Sequence, residues 1–155
     1  MEVIMEHNDK SLIFSRILVK VCYAVVLACC IFAPAMVKYY SEKTVHLPNA
    51  ENVTAPLLIT LYCCVPFAVG ALVCLDMLLS NISRGMPFIP QNVTLLRIIS
   101  YCCFGVALAF IYFAVLRPFA FAIVFAAGFF GLILRVVKNC FKKAVEIREE
   151  NDATN

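Results

Sequence analysis

Charged side chains are scarce in this 155-residue chain, at 15% of residues against about 25% in soluble domains. None falls near the middle of four long apolar runs, residues 17–37, 55–79, 95–116 and 118–137. With 63% hydrophobic residues, a water-soluble globule would have nowhere to bury its apolar surface, so that class is excluded. Histidine, carboxylate and base are missing from the midplane of every run, which removes the usual equipment of pumps and secondary transporters. Catalytic parts are equally short: there is no Gly-rich phosphate loop, no metal-ligand pair and no Ser-His-Asp set. Both histidines, His7 and His46, lie outside the runs. No enzyme activity and no cofactor is therefore expected.

What is present is hydrocarbon in lengths that fit a bilayer. Each run has about 20 residues or more, and a helix rising ~1.5 Å per residue crosses a ~30 Å hydrocarbon layer in that length. Lipid offers no partner to backbone N–H and C=O groups, so the runs must be helical. The expected fold is all-α, an integral membrane four-helix bundle forming a single domain over residues 1–155. The first run is too long for a secretory signal and is followed by Met36-Val37-Lys38-Tyr39-Tyr40, not a small-residue cleavage site, so it is expected to be retained. Read as one helix, residues 95–137 would be ~65 Å long, about twice the hydrocarbon thickness. They must reverse at Arg117-Pro118, where a charge and a proline coincide. Pro34 and Pro66 fall inside spans and predict kinks.

The positive charges set the expected orientation. With the N-terminus cytoplasmic, the inner side holds Lys10, Arg16, Lys20, Arg84, Arg97, Arg135, Lys138, Lys142, Lys143 and Arg148, and the outer side only Lys38, Lys43 and Arg117. That bias places both termini and the 80–94 loop in the cytoplasm of a cell whose inner membrane the chain crosses four times. The net charge of +3 is then a topology signal, with no direct nucleic-acid binding implied. Asp76 near Arg97 or Lys20 is the expected ion pair at the inner interface, where it would fix helix register.

Small residues four apart, Ala24 and Ala28, Gly105 and Ala109, Ala127 and Gly131, mark faces expected to point into the bundle. Such spacing does not separate contacts within one chain from contacts between copies, so a homo-oligomer is compatible with it. The nine cysteines include the doublets Cys29-Cys30, Cys63-Cys64 and Cys102-Cys103. Without Cys-x-x-Cys, and with adjacent helical residues ~100° apart, they read as small hydrophobes in preference to a soft-metal site. Asn52-Val-Thr, Asn81-Ile-Ser and Asn92-Val-Thr match the glycosylation pattern by chance.

Two inner elements carry more information than the spans. In the 83–92 segment Gly85 permits a turn, Pro87 and Pro90 stiffen its exit, and Phe88 can anchor at the interface; an ordered loop is expected. After residue 137 the apolar positions keep helical spacing, so the fourth helix should run on through residues 138–152, ~15 to 20 Å into the cytoplasm. Lys138, Lys142 and Lys143 come first, suited to anionic headgroups, and Glu146, Glu149, Glu150 and Asp152 gather at the end. Acidic groups at a helix C-terminus oppose the macrodipole by roughly 0.3 to 1 kcal/mol each. Few local bases stand near to meet them, which leaves two readings, a partner that meets the acidic end or a fraying, solvated tail.

Gly85-Met86-Pro87-Phe88, Asn92, Leu95-Leu96-Arg97-Ile98-Ile99, Arg135-Val136-Val137-Lys138-Asn139 and the terminal Glu149-Glu150-Asn151-Asp152 together resemble the small bacterial membrane proteins called domain of unknown function 2975, YoaS-like. The ending departs from that pattern, which usually continues Leu-Thr-Ile where this chain has Ala153-Thr154-Asn155. The resemblance implies four membrane helices without known catalytic activity, often associated with a small Cro/CI-type helix-turn-helix regulator. The resulting expectation is a non-enzymatic inner-membrane protein that docks or sequesters such a regulator through Gly85, Phe88, Asn92, Glu146, Glu149, Glu150 and Asp152. The competing expectation is a small oligomeric channel or exporter of apolar compounds, with Thr60, Tyr62, Ser100, Tyr101 and Tyr112 lining its path. A purely structural membrane component is the third.

Overall fold

A computed structural model describes residues 2–43 and 54–154. Within them the chain is a succession of four helices, α1 (Glu2–Lys43), α2 (Thr54–Ser83), α3 (Pro90–Leu116) and α4 (Phe121–Thr154), with a 3-10 turn at Pro118–Ala120 between the last two. All four contain segments long and apolar enough to cross a membrane, Phe14–Tyr40, Thr54–Ser83, Pro90–Leu116 and Pro118–Asn151. Large apolar side chains cover the outside of the assembly; Ile31, Val115 and Phe125 are 73%, 75% and 76% exposed. Lipid is the solvent in which such a surface is stable.

The reversal falls where charge and proline meet. Arg117 is extended (φ −137°, ψ 102°) and its N–H closes the end of α3 on the Phe113 carbonyl. Pro118 then opens the 3-10 turn, where its missing N–H is no loss. At the other ends the helices outrun their apolar runs. α1 begins at Glu2 and not near residue 17, and α4 continues to Thr154, somewhat beyond the extension expected. Both internal prolines lie within continuous helix. Pro34 leaves the Cys30 carbonyl without its helical donor, and the Tyr62 hydroxyl of α2 donates to that carbonyl across 3.4 Å, a long bond that ties α1 to α2.

α1 packs on α2, α2 on α3 and α3 on α4, and no comparable contact joins α1 to α3 or α4, or α2 to α4, among the described residues. The four helices therefore form a row, open between α1 and α4, with both chain ends on one face. α3 is its centre. Cys74 and Leu78 of α2 meet Leu95, Leu96 and Ile99 of α3 near that face, and Leu134, Val137 and Phe141 of α4 close over them. Near the opposite face Phe113, Ala114 and Ala120 pack with Leu57 and Val124.

In lipid no hydrophobic effect draws helices together, so close approach and interhelical hydrogen bonds must hold them. Gly105 supplies the first: a Cβ there would stand 2.6 Å from the Phe67 ring. Ser100 supplies the second, its hydroxyl donating 2.8 Å to the Gly131 carbonyl of α4, while Gly131 also receives the Phe104 ring. Two of the three small-residue pairs thus contribute to helix contacts. The third does not: Ala24 and Ala28 are exposed, because α1 has a single neighbour and turns most of its circumference outward.

Candidate functional site

The face bearing the chain ends is built around the α2–α3 turn. α2 ends in a Schellman cap. The Gly85 N–H donates to the Ile82 carbonyl at 3.0 Å and the Met86 N–H to the Asn81 carbonyl at 3.1 Å. This pattern requires a left-handed residue between them. Gly85 fills it with φ +74°, and no atom lies within 4 Å of where its Cβ would be. Gly85→Ala should therefore cost about 1 to 2 kcal/mol through backbone strain alone. A denaturant midpoint measured in detergent reads this, and an unshifted midpoint would show that the turn does not need its left-handed residue.

Asn92, on the first turn of α3, holds the rest of the loop. Its side-chain amide donates to the Pro87 carbonyl at 2.7 Å and the Met86 carbonyl at 3.1 Å. Its side-chain oxygen accepts from the Asn81 amide at 2.7 Å. Asn92 is fully buried. Two asparagines that sit in glycosylation-like triplets are thus partners across a turn. Asn92 positions the loop from within and offers nothing to a docking protein, which corrects the expectation placed on it. Asn81 was missed altogether; its signal was a second asparagine at the end of the preceding helix.

The loop leans on the start of the α4 extension. Phe88, half-exposed, packs against Phe141 with ring centroids 5.7 Å apart, and Val145, one turn further on, is buried. Loop and tail therefore form one continuous surface. Beyond it Lys142 and Glu146 make an exposed i,i+4 pair at 3.4 Å, of the kind that contributes little to stability. Glu149 and Glu150 are exposed. Glu150, with Arg148 and Asn151 beside it, has interactions within the chain, so the acidic end is less bare of local partners than its sequence implies. The side chain of Asp152 lies outside the described residues, as do the His7 side chain, His46 and Asn52.

The expected ion pair is not formed. Among the described residues no salt bridge joins Asp76 to Arg97 or Lys20, both of which are exposed. For Arg97 the reason is azimuth. Cys74 and Leu78 point toward α3, and Asp76, two residues past Cys74, is turned ~200° away from it. Arg135 lies 6.0 Å over the Tyr101 ring, a cation–π contact near the same face.

The side chains proposed for a polar path do not converge. Thr60 and Ser100 are buried in helix contacts, and Tyr62, Tyr101 and Tyr112 are 49%, 54% and 60% exposed on the outside. Among the described residues no group of three or more His, Cys, Asp or Glu side chains is placed to hold a metal. The nine cysteines are free thiols.

Four apolar helices in an up-and-down row, with one ordered loop and one helical extension on the terminal face, define a small membrane-protein class with no catalytic constellation among the described residues. The chain belongs to the family described as Protein of unknown function (DUF2975), which matches residues 39–154, from the end of α1 to the end of α4. No curated protein and no solved structure matches the chain.

Proposed function

We propose that this chain is a non-enzymatic anchor in the cytoplasmic membrane, both termini inside, whose terminal face docks a cytosolic protein. The observation that carries the reading is the Phe88–Phe141 contact. It joins an internally hydrogen-bonded loop to a helix that projects beyond the membrane, its end net negative with Glu146, Glu149, Glu150 and Asp152 against Arg148, giving a rigid platform with an acidic tip. Rigid presentation lowers the ordering cost of association, and a local negative field favours a basic partner. A small basic helix-turn-helix regulator fits that chemistry, and holding it at the bilayer would withdraw it from DNA.

Affinity capture with the full chain and with residues 146–155 removed tests this. The full chain is expected to retain a basic DNA-binding protein and the truncated chain to lose it. Equal recovery by both would contradict the docking reading. Among the described residues no buried side chain lies beyond Val145, so the truncation is expected to leave the row of helices folded, which the helicity of the truncated protein checks.

A further inference from the structure

Between α1 and α2, in the half of the row away from the chain ends, lies a half-open cleft of about 440 Å³. It runs from Val25 and Ala68 at its deep end to Tyr40 and Leu57 at its mouth. Among the described residues no third helix covers it, because α1 packs on α2 and makes no comparable contact with α3 or α4. We propose that this cleft holds one acyl chain of a phospholipid from the leaflet opposite the chain termini. The inference is independent of the docking function.

The lining decides the chemistry. It is hydrocarbon and thiol, with Cys29, Cys30 and Cys64 among its walls. The Tyr62 hydroxyl within it already donates to the Cys30 carbonyl. A polar ligand entering here would give up its hydrogen bonds to water and find few replacements, so only a hydrocarbon gains. The dimensions decide the shape. Val25 to Tyr40 covers ~22 Å of helix, matching the ~20 to 22 Å from bilayer midplane to headgroup surface. The cleft is therefore as long as one leaflet is deep. A second helix seated on this face, as in a homo-oligomer, would exclude lipid from it, so cleft positions left unlabelled by a photoreactive lipid would overturn the assignment. At the mouth Tyr40 contributes an amphipathic ring at the depth of the headgroup boundary. Left empty, the walls would lose their dispersion contacts on one side.

The full chain, reconstituted in vesicles of phosphatidylglycerol and phosphatidylethanolamine, tests the assignment with a trace of phospholipid carrying a diazirine in its acyl chain. After illumination, peptide mass spectrometry should find adducts concentrated in residues 25–37 and 57–68, above those at the freely exposed Val115 and Phe125. Ala33→Leu and Ala68→Phe, each filling the cleft from one wall, should abolish the cleft adducts and leave those at Phe125 unchanged. Either variant suffices, and helicity of the labelled protein confirms that it has folded. Labelling spread evenly over all lipid-facing positions, in wild type and both variants alike, would mean ordinary boundary lipid and overturn the proposal. So would cleft labelling by a diazirine fatty acid with none by the phospholipid.

Discussion

Replacing Asn92 with alanine is expected to destabilise the protein by about 2 to 4 kcal/mol and to open the α2–α3 loop to protease. The substitution strands three groups at once: the Pro87 and Met86 carbonyls lose their donor and the Asn81 amide loses its acceptor. A buried polar group left without a partner costs about 1 to 3 kcal/mol, and water at the membrane surface recovers part of that sum. Asn92→Asp sharpens the test. It keeps an acceptor facing Asn81 but sets a buried carboxylate oxygen against the Pro87 and Met86 carbonyls, so at neutral pH its denaturant midpoint should fall at or below that of the alanine variant. If Asn92→Ala shifts stability by less than ~0.5 kcal/mol, the size of an ordinary surface substitution, the clamp is not what orders the loop. Docking is expected to weaken in step with loop opening, because Phe88 is held against Phe141 from the same segment.

Gly105→Leu is expected to be as damaging by the opposite mechanism. A Cβ at this position stands 2.6, 2.7 and 2.9 Å from three atoms of the Phe67 ring, closer than carbon atoms approach without displacing one another. Overpacking costs about 1 to 3 kcal/mol where the surroundings can shift. Here the partly exposed Phe67 ring would have to swing out of its place between α2 and α3, the two inner helices of the row, and give up its packing there. The same molecule supplies its control: a Cβ at Gly128 meets nothing within 4 Å, so Gly128→Leu should leave the thermal midpoint in detergent nearly unchanged. Phe67→Ala added to Gly105→Leu should restore much of the lost stability, a coupling that a double-mutant cycle measures directly. Without such recovery, the damage at Gly105 comes from somewhere other than Phe67.

The helices were legible because a bilayer imposes length and polarity together. Residues 95–137 had to break once, and Arg117-Pro118 offered both a charge and a proline, so the reversal followed. The ordered loop was legible from Gly85 and its flanking prolines. The Asp76 partner was not. Spacing from the helix ends gives depth, and by depth Arg97 and Lys20 are reasonable neighbours. Rotation about the helix axis then turns Asp76 away from α3, and rotation depends on which helices touch. That arrangement, a row open between α1 and α4, leaves no periodic trace in a chain that is apolar on every side of each helix. The same blindness put Ala24 and Ala28 inside when they lie outside. Asn81 and Asn92 went unread as a pair because each sat in a triplet with a ready explanation of its own, and hydrogen bonding across a turn has no fixed spacing.

Docking depends on the placement of one face. Loop, tail and most of the positive charge are together at the end of the row that carries the termini, and the docking proposal requires that end to be cytoplasmic. Single cysteines introduced into a cysteine-free chain read this directly with a membrane-impermeant maleimide. Glu149→Cys and Arg84→Cys should be protected in intact cells and react after permeabilisation, whereas Glu42→Cys should react in both. Labelling of Glu149→Cys or Arg84→Cys from outside intact cells would contradict it.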